Sequence, residues 1–415
     1  MRSIAIPAIF LAGALVSRFI LAHAPERLRV DLAQPLTVAT TWGAFGAWLW
    51  IVLACTLALA FVPYVRGLRG VAPSRAATLW ACTLSLAAAC AWAPLFSSDV
   101  YAYAAYGEMA RVGLDPYAHL TQASTDPILA AAQWQWSGSF PVCVYGEAFV
   151  ALAQALTSIT HAFGTLAVLD AFRLLSCLAL LACAALLSSI STRAAWFLAL
   201  NPITLWIAAE GHNDTIALAV VLTGFVVART YAAFGSAIVA AAALIKLPAL
   251  GAAAAFAIDA TIARVRAVPV LAGTALGTAL ACVGSFALIA GVRNDLAPHG
   301  HYQPLASVQA LGIPCAVLSA LVVLARLRAF ATRFDRWCVL ALALWIAVPN
   351  PYAWYSLWLL APSAFTTDAR VRSAALAVAG ASFLRYLPDA VAVPHGVASI
   401  ALGLCALAAF IPLVL

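Results

Sequence analysis

One short run of the chain, Ser97-Ser98-Asp99-Val100-Tyr101-Ala102-Tyr103-Ala104-Ala105-Tyr106-Gly107-Glu108, carries two carboxylates and three phenols in an otherwise apolar sequence. Asp99, Tyr103 and Tyr106 are spaced i, i+4, i+7, so a helix places them on one face. A carboxylate beside two phenols suits deprotonation of a sugar or alcohol hydroxyl. The same residues also fit a capped helix start, with Ser98 or Asp99 on the orphan N–H groups and the tyrosines in an interfacial belt. The turn-like Gly113-Leu114-Asp115-Pro116-Tyr117 closes this helix.

A second polar cluster follows Asn201-Pro202: Glu210-Gly211-His212-Asn213-Asp214 interrupts a long apolar stretch. Ionisable groups at membrane depth are costly and mark function. Glu210, His212 and Asp214, with Asn213 among them, suit cation binding, hydrogen bonding to a sugar, or acid–base work. A tight solvated hairpin is the simpler alternative, although glycine and serine would suffice for one. Lys246 is the single lysine beside 21 arginines. Its compact ammonium suits a phosphate oxygen, and snorkelling to the headgroups is its other reading. Arg173 has Asp170 three residues before it, or a lipid phosphate, as partner. In Pro349-Asn350-Pro351-Tyr352-Ala353-Trp354-Tyr355 two prolines break the helix and present rings. Tyr352 and Trp354 suit stacking on a sugar face, and equally an interfacial belt. His299-Gly300-His301 is a weak metal signal without an evident third ligand.

The elements that must position these groups are set by composition. Of 415 residues, 65% are hydrophobic and 9% charged, against roughly 25% charged in a soluble domain. That excludes a soluble enzyme, a disordered chain and a coiled coil. The net charge of +7 reads as membrane topology, and no basic cluster is dense enough for nucleic acid. Of the ten cysteines only Cys143 lies in a polar stretch, and no C-x-x-C occurs, so neither zinc nor a redox motif is supported. Apolar spans lie near 3–22, 42–64, 77–97, 168–190, 194–210, 214–229, 233–247, 248–263, 267–291, 304–325, 337–349, 353–367, 373–387 and 395–414. The first reads as a retained helix, because Pro25 follows the signal-like Ala22-His23-Ala24 and Arg18 interrupts the run.

The expected fold is an all-α polytopic membrane protein of about 12–14 transmembrane helices, in one transmembrane domain over 1–415. With the N-terminus cytoplasmic, fourteen of the 21 arginines fall inside and twelve of the fifteen carboxylates outside. This registration requires that 146–163 does not cross, so it reads as an amphipathic, juxtamembrane helix. Residues 98–167 then form one long extracytoplasmic loop, and 168–415 the remaining helical bundle. No internal repeat of the kind common in transporters is evident.

In order, "SDVYAYAAYGEM…GLDPYA", "VYGEAF", "ALNPITLW…EGHND", "AALIKLPAL" and "PNPYAWYSLWLLAP" resemble the GT-C membrane glycosyltransferases. Within them, the pattern is similar to the polyprenyl-phosphate-mannose-dependent alpha-(1→6)-mannosyltransferases of actinobacterial lipomannan synthesis and their uncharacterised relatives. It runs from about residue 97 to 362. The resemblance implies a GT-C-like fold and an inverting transfer of a hexose, mannose above others, from a polyprenyl-phosphate carrier to a glycan or glycolipid acceptor. It places the site on the outer face of the bacterial inner membrane. By resemblance Asp99 is the general base and Asp214 orients substrate or a catalytic partner; Tyr103, Tyr106, Glu147, Glu210, His212, Asn213, Asp214, Tyr352 and Trp354 are the candidate substrate-lining residues. Lys246, with His212 or Arg173, meets the lipid phosphate. The outer carboxylates are also candidates for Mg²⁺ or Ca²⁺, although monophosphate donors often need no metal. Where relatives commonly carry Tyr-Gly-Pro, this chain has Tyr145-Gly146-Glu147, which leaves donor sugar and acceptor open and keeps aminoarabinose transferases of the same fold in view. A secondary transporter coupling through Asp214 and Lys246 is the competing expectation.

Overall fold

A computed structural model describes residues 2–23, 44–94, 96–120, 122–135, 140–283, 332–347, 352–387 and 395–408. The expected span 304–325, the His299-Gly300-His301 pair and residues 349–351 lie outside the described residues. Among the described residues every regular element is helical and there is no strand, as the all-α expectation requires. The chain divides into two compact units: residues 1–216 with 386–392, and residues 217–385 with 393–415.

The first unit opens with α1 (Arg2–Ala22), α2 (Ala44–Arg69) and α3 (Arg75–Cys90), with α1 packed on both others. Ser74 caps α3 by accepting the Ala77 N–H at 3.2 Å. Three shorter helices follow: α4 (Asp99–Arg111), α5 (Pro127–Gln135) and α6 (Glu147–Thr160). Then come α7 (Thr165–Ser188), α8 (Thr192–Ala199), α9 (Pro202–Ala209) and the start of α10 (Asp214–Val227). Among the described residues, three stretches are long and apolar enough to cross a membrane: Ile4–Ala22, Gly46–Arg69 and Thr165–Ser188. At about 1.5 Å per residue each matches or approaches a hydrocarbon core of about 30 Å.

Two sequence readings meet their structural counterparts here. The 146–163 segment is an amphipathic helix: Phe149, Ala153 and Thr157 form its buried stripe, while Ile159 and Phe163 stay exposed. It packs on α4, where Gly107 permits the approach, since a Cβ there would sit 2.5 Å from the Ala153 carbonyl oxygen. The expected span 194–210, by contrast, is not one helix. It breaks at Asn201-Pro202, where Asn201 caps α9 by accepting the Ile203 N–H at 3.0 Å and proline occupies the first turn. The carbonyls left over at the end of α8 are met by side chains. Tyr64 donates to Phe197 O at 2.7 Å, and Cys82 Sγ lies 3.9 Å from Ala199 O.

The second unit contains the rest of α10, then α11 (Ala232–Ala241), α12 (Ala249–Ala263), α13 (Ala267–Cys282), α14 (Arg333–Ala347), α15 (Leu357–Ser363), α16 (Ala369–Ser382) and α17 (His395–Leu407). Helices α11 and α13 meet closely through small residues. A Cβ on Gly277 would fall 2.8 Å from that of Ala240, the contact that small residues make possible where lipid supplies no hydrophobic drive. Asp335 joins two loops by accepting from Thr332 N–H and Oγ1, at 2.9 and 2.7 Å, and from Thr366 Oγ1. Arg336 pairs with Asp259 of α12.

Candidate active site

Asp99 is the first residue of α4. Ser98, at the N-cap, makes no side-chain capping bond, and the Asp99 N–H donates to Ser97 Oγ at 3.2 Å. The Asp99 side chain is 21% exposed, whereas its polar neighbours are sealed off. Tyr103, one turn along, is buried and donates to Asp99 Oδ2 at 3.3 Å or to Asn213 Oδ1 at 3.2 Å. Burial, then the charges of Asp99 and Asp214, hold its phenol well above the usual tyrosine range, so Tyr103 stays a donor. Tyr145 donates to Tyr103 Oη at 3.4 Å, and its ring meets Tyr103 edge-on at 5.3 Å. Tyr106, the third residue on the predicted face, points its hydroxyl at Pro141 O and Val142 O, 2.9 and 3.2 Å away. It fastens the loop before α6 to α4.

The polar cluster after α9 is built by a helix ending. Gly211 adopts φ +90°, its N–H donates to Ala208 O at 3.1 Å, and the His212 N–H donates to Ile207 O at 3.3 Å. This is a Schellman arrangement with glycine in the left-handed position. It turns the chain so that Glu210 and His212 lie on either side of a tight bend. His212, fully buried, brings Nδ1 to 3.4 Å from Asp99 Oδ2 and Nε2 to 3.7 Å from Glu210 Oε2. Glu210, 2% exposed, accepts the Phe96 N–H at 3.2 Å and the Tyr386 hydroxyl at 2.8 Å. His212 lies outside the apolar helices. Burial pushes its imidazolium down, but the opposing contacts and charges of Asp99 and Glu210 outweigh this and raise it to about 9. Ser176 of α7 fixes the His212 carbonyl at 2.8 Å and bonds Thr215 at 2.7 Å. Asn213 and Asp214 are also fully buried.

Gly211→Ala tests this construction. A Cβ would meet Val100 Cγ2 at 3.1 Å and Arg173 Cγ at 3.2 Å, on top of about 1–2 kcal/mol for the left-handed backbone. The expected outcome is a lower thermal midpoint together with loss of activity. Gly113→Ala, whose φ is +79° with open space around it, is expected to lower the midpoint alone.

Arg173 lies in α7, and its guanidinium is enclosed by protein acceptors. Nε donates to Ala209 O at 2.6 Å, and one amino group to Cys90 O and Trp92 O at 3.1 and 2.8 Å. The other reaches Asp170 at 3.0 Å. It ties the ends of α3 and α9 to α7. Glu147 is exposed at the first turn of α6. In the second unit Tyr352 and Trp354 stack at 4.3 Å with 9° between planes, and Arg385 covers Tyr352 at 4.2 Å. Lys246 is 6% exposed, with Nζ 5.8 Å from the Tyr355 ring centre. Among the described residues no group of three His, Cys, Asp or Glu side chains converges as a metal site.

Sequence reasoning missed Tyr145, Tyr386 and the Phe96 N–H as members of this network. Glu210 and His212, candidate substrate-lining residues by sequence, are both buried, with His212 between Asp99 and Glu210.

A family model described as alpha-(1→6)-mannopyranosyltransferase, N-terminal domain, matches residues 5–264. The curated alpha-(1→6)-mannopyranosyltransferase A of Mycobacterium tuberculosis is 29% identical over 141 residues, which is 32% of this chain and 26% of that protein. The matched stretch thus spans about a quarter of that relative's length. No solved structure matches the chain.

Proposed function

The chain belongs to the alpha-(1→6)-mannopyranosyltransferase family, and on that premise we propose that it transfers a hexose, mannose first, from a polyprenyl-phosphate carrier to a hydroxyl of a glycan or glycolipid acceptor. The observation that carries the reading is Asp99. It is the partly exposed carboxylate of an otherwise buried polar network, so it meets an acceptor hydroxyl while its other contacts stay fixed. Transfer forms the bond from the acceptor oxygen to the anomeric carbon, breaks the bond from that carbon to the phosphate oxygen, and moves the hydroxyl proton to Asp99. The electron pair leaves with the lipid phosphate, and attack from the opposite face inverts the anomeric centre.

Several finer assignments belong to the same reading. Lys246 is the proposed cation for the donor phosphate. Tyr352 and Trp354 are proposed to stack on a sugar ring, and Glu147 to face the acceptor. The protein is placed in the bacterial inner membrane with Asp99 on the outer side, in line with the arginine and carboxylate distribution. Arg173 is left out of phosphate binding, because its donors are taken by protein acceptors.

The test is incubation of purified protein in lipid with radiolabelled polyprenyl-phosphate hexoses and oligomannoside acceptors. The expected result is labelled product with mannosyl donor and little with glucosyl donor, with the anomeric configuration inverted. Absence of transfer from every polyprenyl-phosphate hexose would overturn the reading.

A further inference from the structure

Three acidic or basic side chains stand in a row behind the accessible end of this site. Asp99 Oδ2 faces His212 Nδ1 at 3.4 Å, and His212 Nε2 faces Glu210 Oε2 at 3.7 Å. Glu210 is itself held by the Tyr386 hydroxyl and the Phe96 N–H. With His212 fully buried and Glu210 2% exposed, neither is presented to a substrate. We infer that His212 and Glu210 form a positioning pair that orients Asp99 and sets its strength as a base, rather than contacting sugar. The inference rests on the transferase reading for its kinetic consequence, and on the geometry alone for its protonation consequence.

The charge count gives the reason. With both imidazole nitrogens protonated, the row Asp99, His212, Glu210 carries one net negative charge. When Asp99 takes the acceptor's proton the row becomes neutral, a change that buried surroundings favour. With Glu210 neutral, the row would start neutral and end positive, which the same surroundings oppose. Glu210 therefore keeps Asp99 basic despite the adjacent cation. His212 retains both protons throughout, and no proton passes beyond Asp99. Other charged and titratable groups act on the row through its neighbours: Tyr103 of α4 bonds Asp99 and feels the charge of Asp214, Tyr386 bonds Glu210, and Arg173 of α7 bonds the Ala209 carbonyl next to Glu210. The upward shift of the imidazolium to about 9 agrees with this arrangement.

Glu210→Gln keeps the shape and an acceptor for the Phe96 N–H. It is expected to lower kcat on the order of 100-fold, leave the donor KM within about twofold, and move the alkaline limb of the kcat profile to lower pH. Tyr386→Phe removes a donor from Glu210, strengthens its pull on the imidazolium, and is expected to move that limb upward. Glu210→Asp is expected to recover part of the rate. A rise in KM with kcat unchanged, or a limb that moves in neither variant, would overturn the proposal. A second measurement is independent of transfer: ring-¹⁵N spectra of histidine-labelled protein. His212 is expected to be doubly protonated at neutral pH and to titrate lower in Glu210→Gln. A neutral His212 at pH 7, or a titration that Glu210→Gln does not move, overturns the pair even if no sugar is transferred. Loss of transfer with the expected spectra overturns the transferase reading and leaves the pair standing.

Discussion

Asp99→Asn is expected to lower sugar transfer by about 10³-fold while the protein still inserts and still binds the polyprenyl-phosphate donor. General-base catalysis contributes roughly 10²–10⁴-fold, and asparagine cannot take the acceptor's proton at any working pH. The substitution keeps the size of the side chain and an oxygen for the Tyr103 hydroxyl, now 3.3 Å from Oδ2. His212 keeps Glu210 as its counter-charge, so folding should survive. Initial rates with labelled donor, set beside donor retention by the same membranes, separate chemistry from binding. Asp99→Glu, with the carboxylate moved by one methylene, is expected to retain a small fraction of the rate. Transfer by Asp99→Asn at the wild-type rate would remove Asp99 from the chemistry.

Arg173→Met is expected to cost stability rather than donor affinity. Hydrogen bonds to a charged group are worth about 1.5–3 kcal/mol each, and Arg173 makes bonds of this kind to Ala209, Cys90 and Trp92. Its ion pair with Asp170 adds little, because that carboxylate is 68% exposed. Methionine fills much of the volume but leaves those carbonyls without their donor. A loss of about 3 kcal/mol or more, read as a thermal midpoint lower by roughly 5 °C or more, is the expected outcome. If Arg173 instead met the lipid phosphate, the midpoint would hold and the donor KM would rise. Thermal unfolding in detergent and donor titration in the same preparation distinguish the two.

What the sequence could tell depended on whether a signal was local. The spacing of Asp99 and Tyr103 is a helix property, and both appear on α4 in contact. The amphipathic helix expected within 146–163 is present, with Phe149, Ala153 and Thr157 buried along one side. Glu210-Gly211-His212 stood out as polar residues in an apolar run, yet their direction depends on the left-handed glycine and on contacts far along the chain. Tyr386 lies 176 residues from Glu210, and nothing near it in sequence marks that bond. Tyr106 shared the predicted face but faces the loop carbonyls at Pro141 and Val142, a partner that periodicity cannot name. The break at Asn201-Pro202 carried a visible cap and proline, but hydropathy averaged over it and counted one span.

That break has an electrostatic consequence. Because α9 starts afresh at Pro202, its C-terminal turn ends at the His212 bend, while α4 begins at Asp99. A helix start carries a partial positive charge and a helix end a partial negative one. The peptide dipoles of α4 therefore favour an anion at Asp99, and those of α9 favour a cation at His212. The backbone thus lays down the polarity of the pair before either side chain ionises.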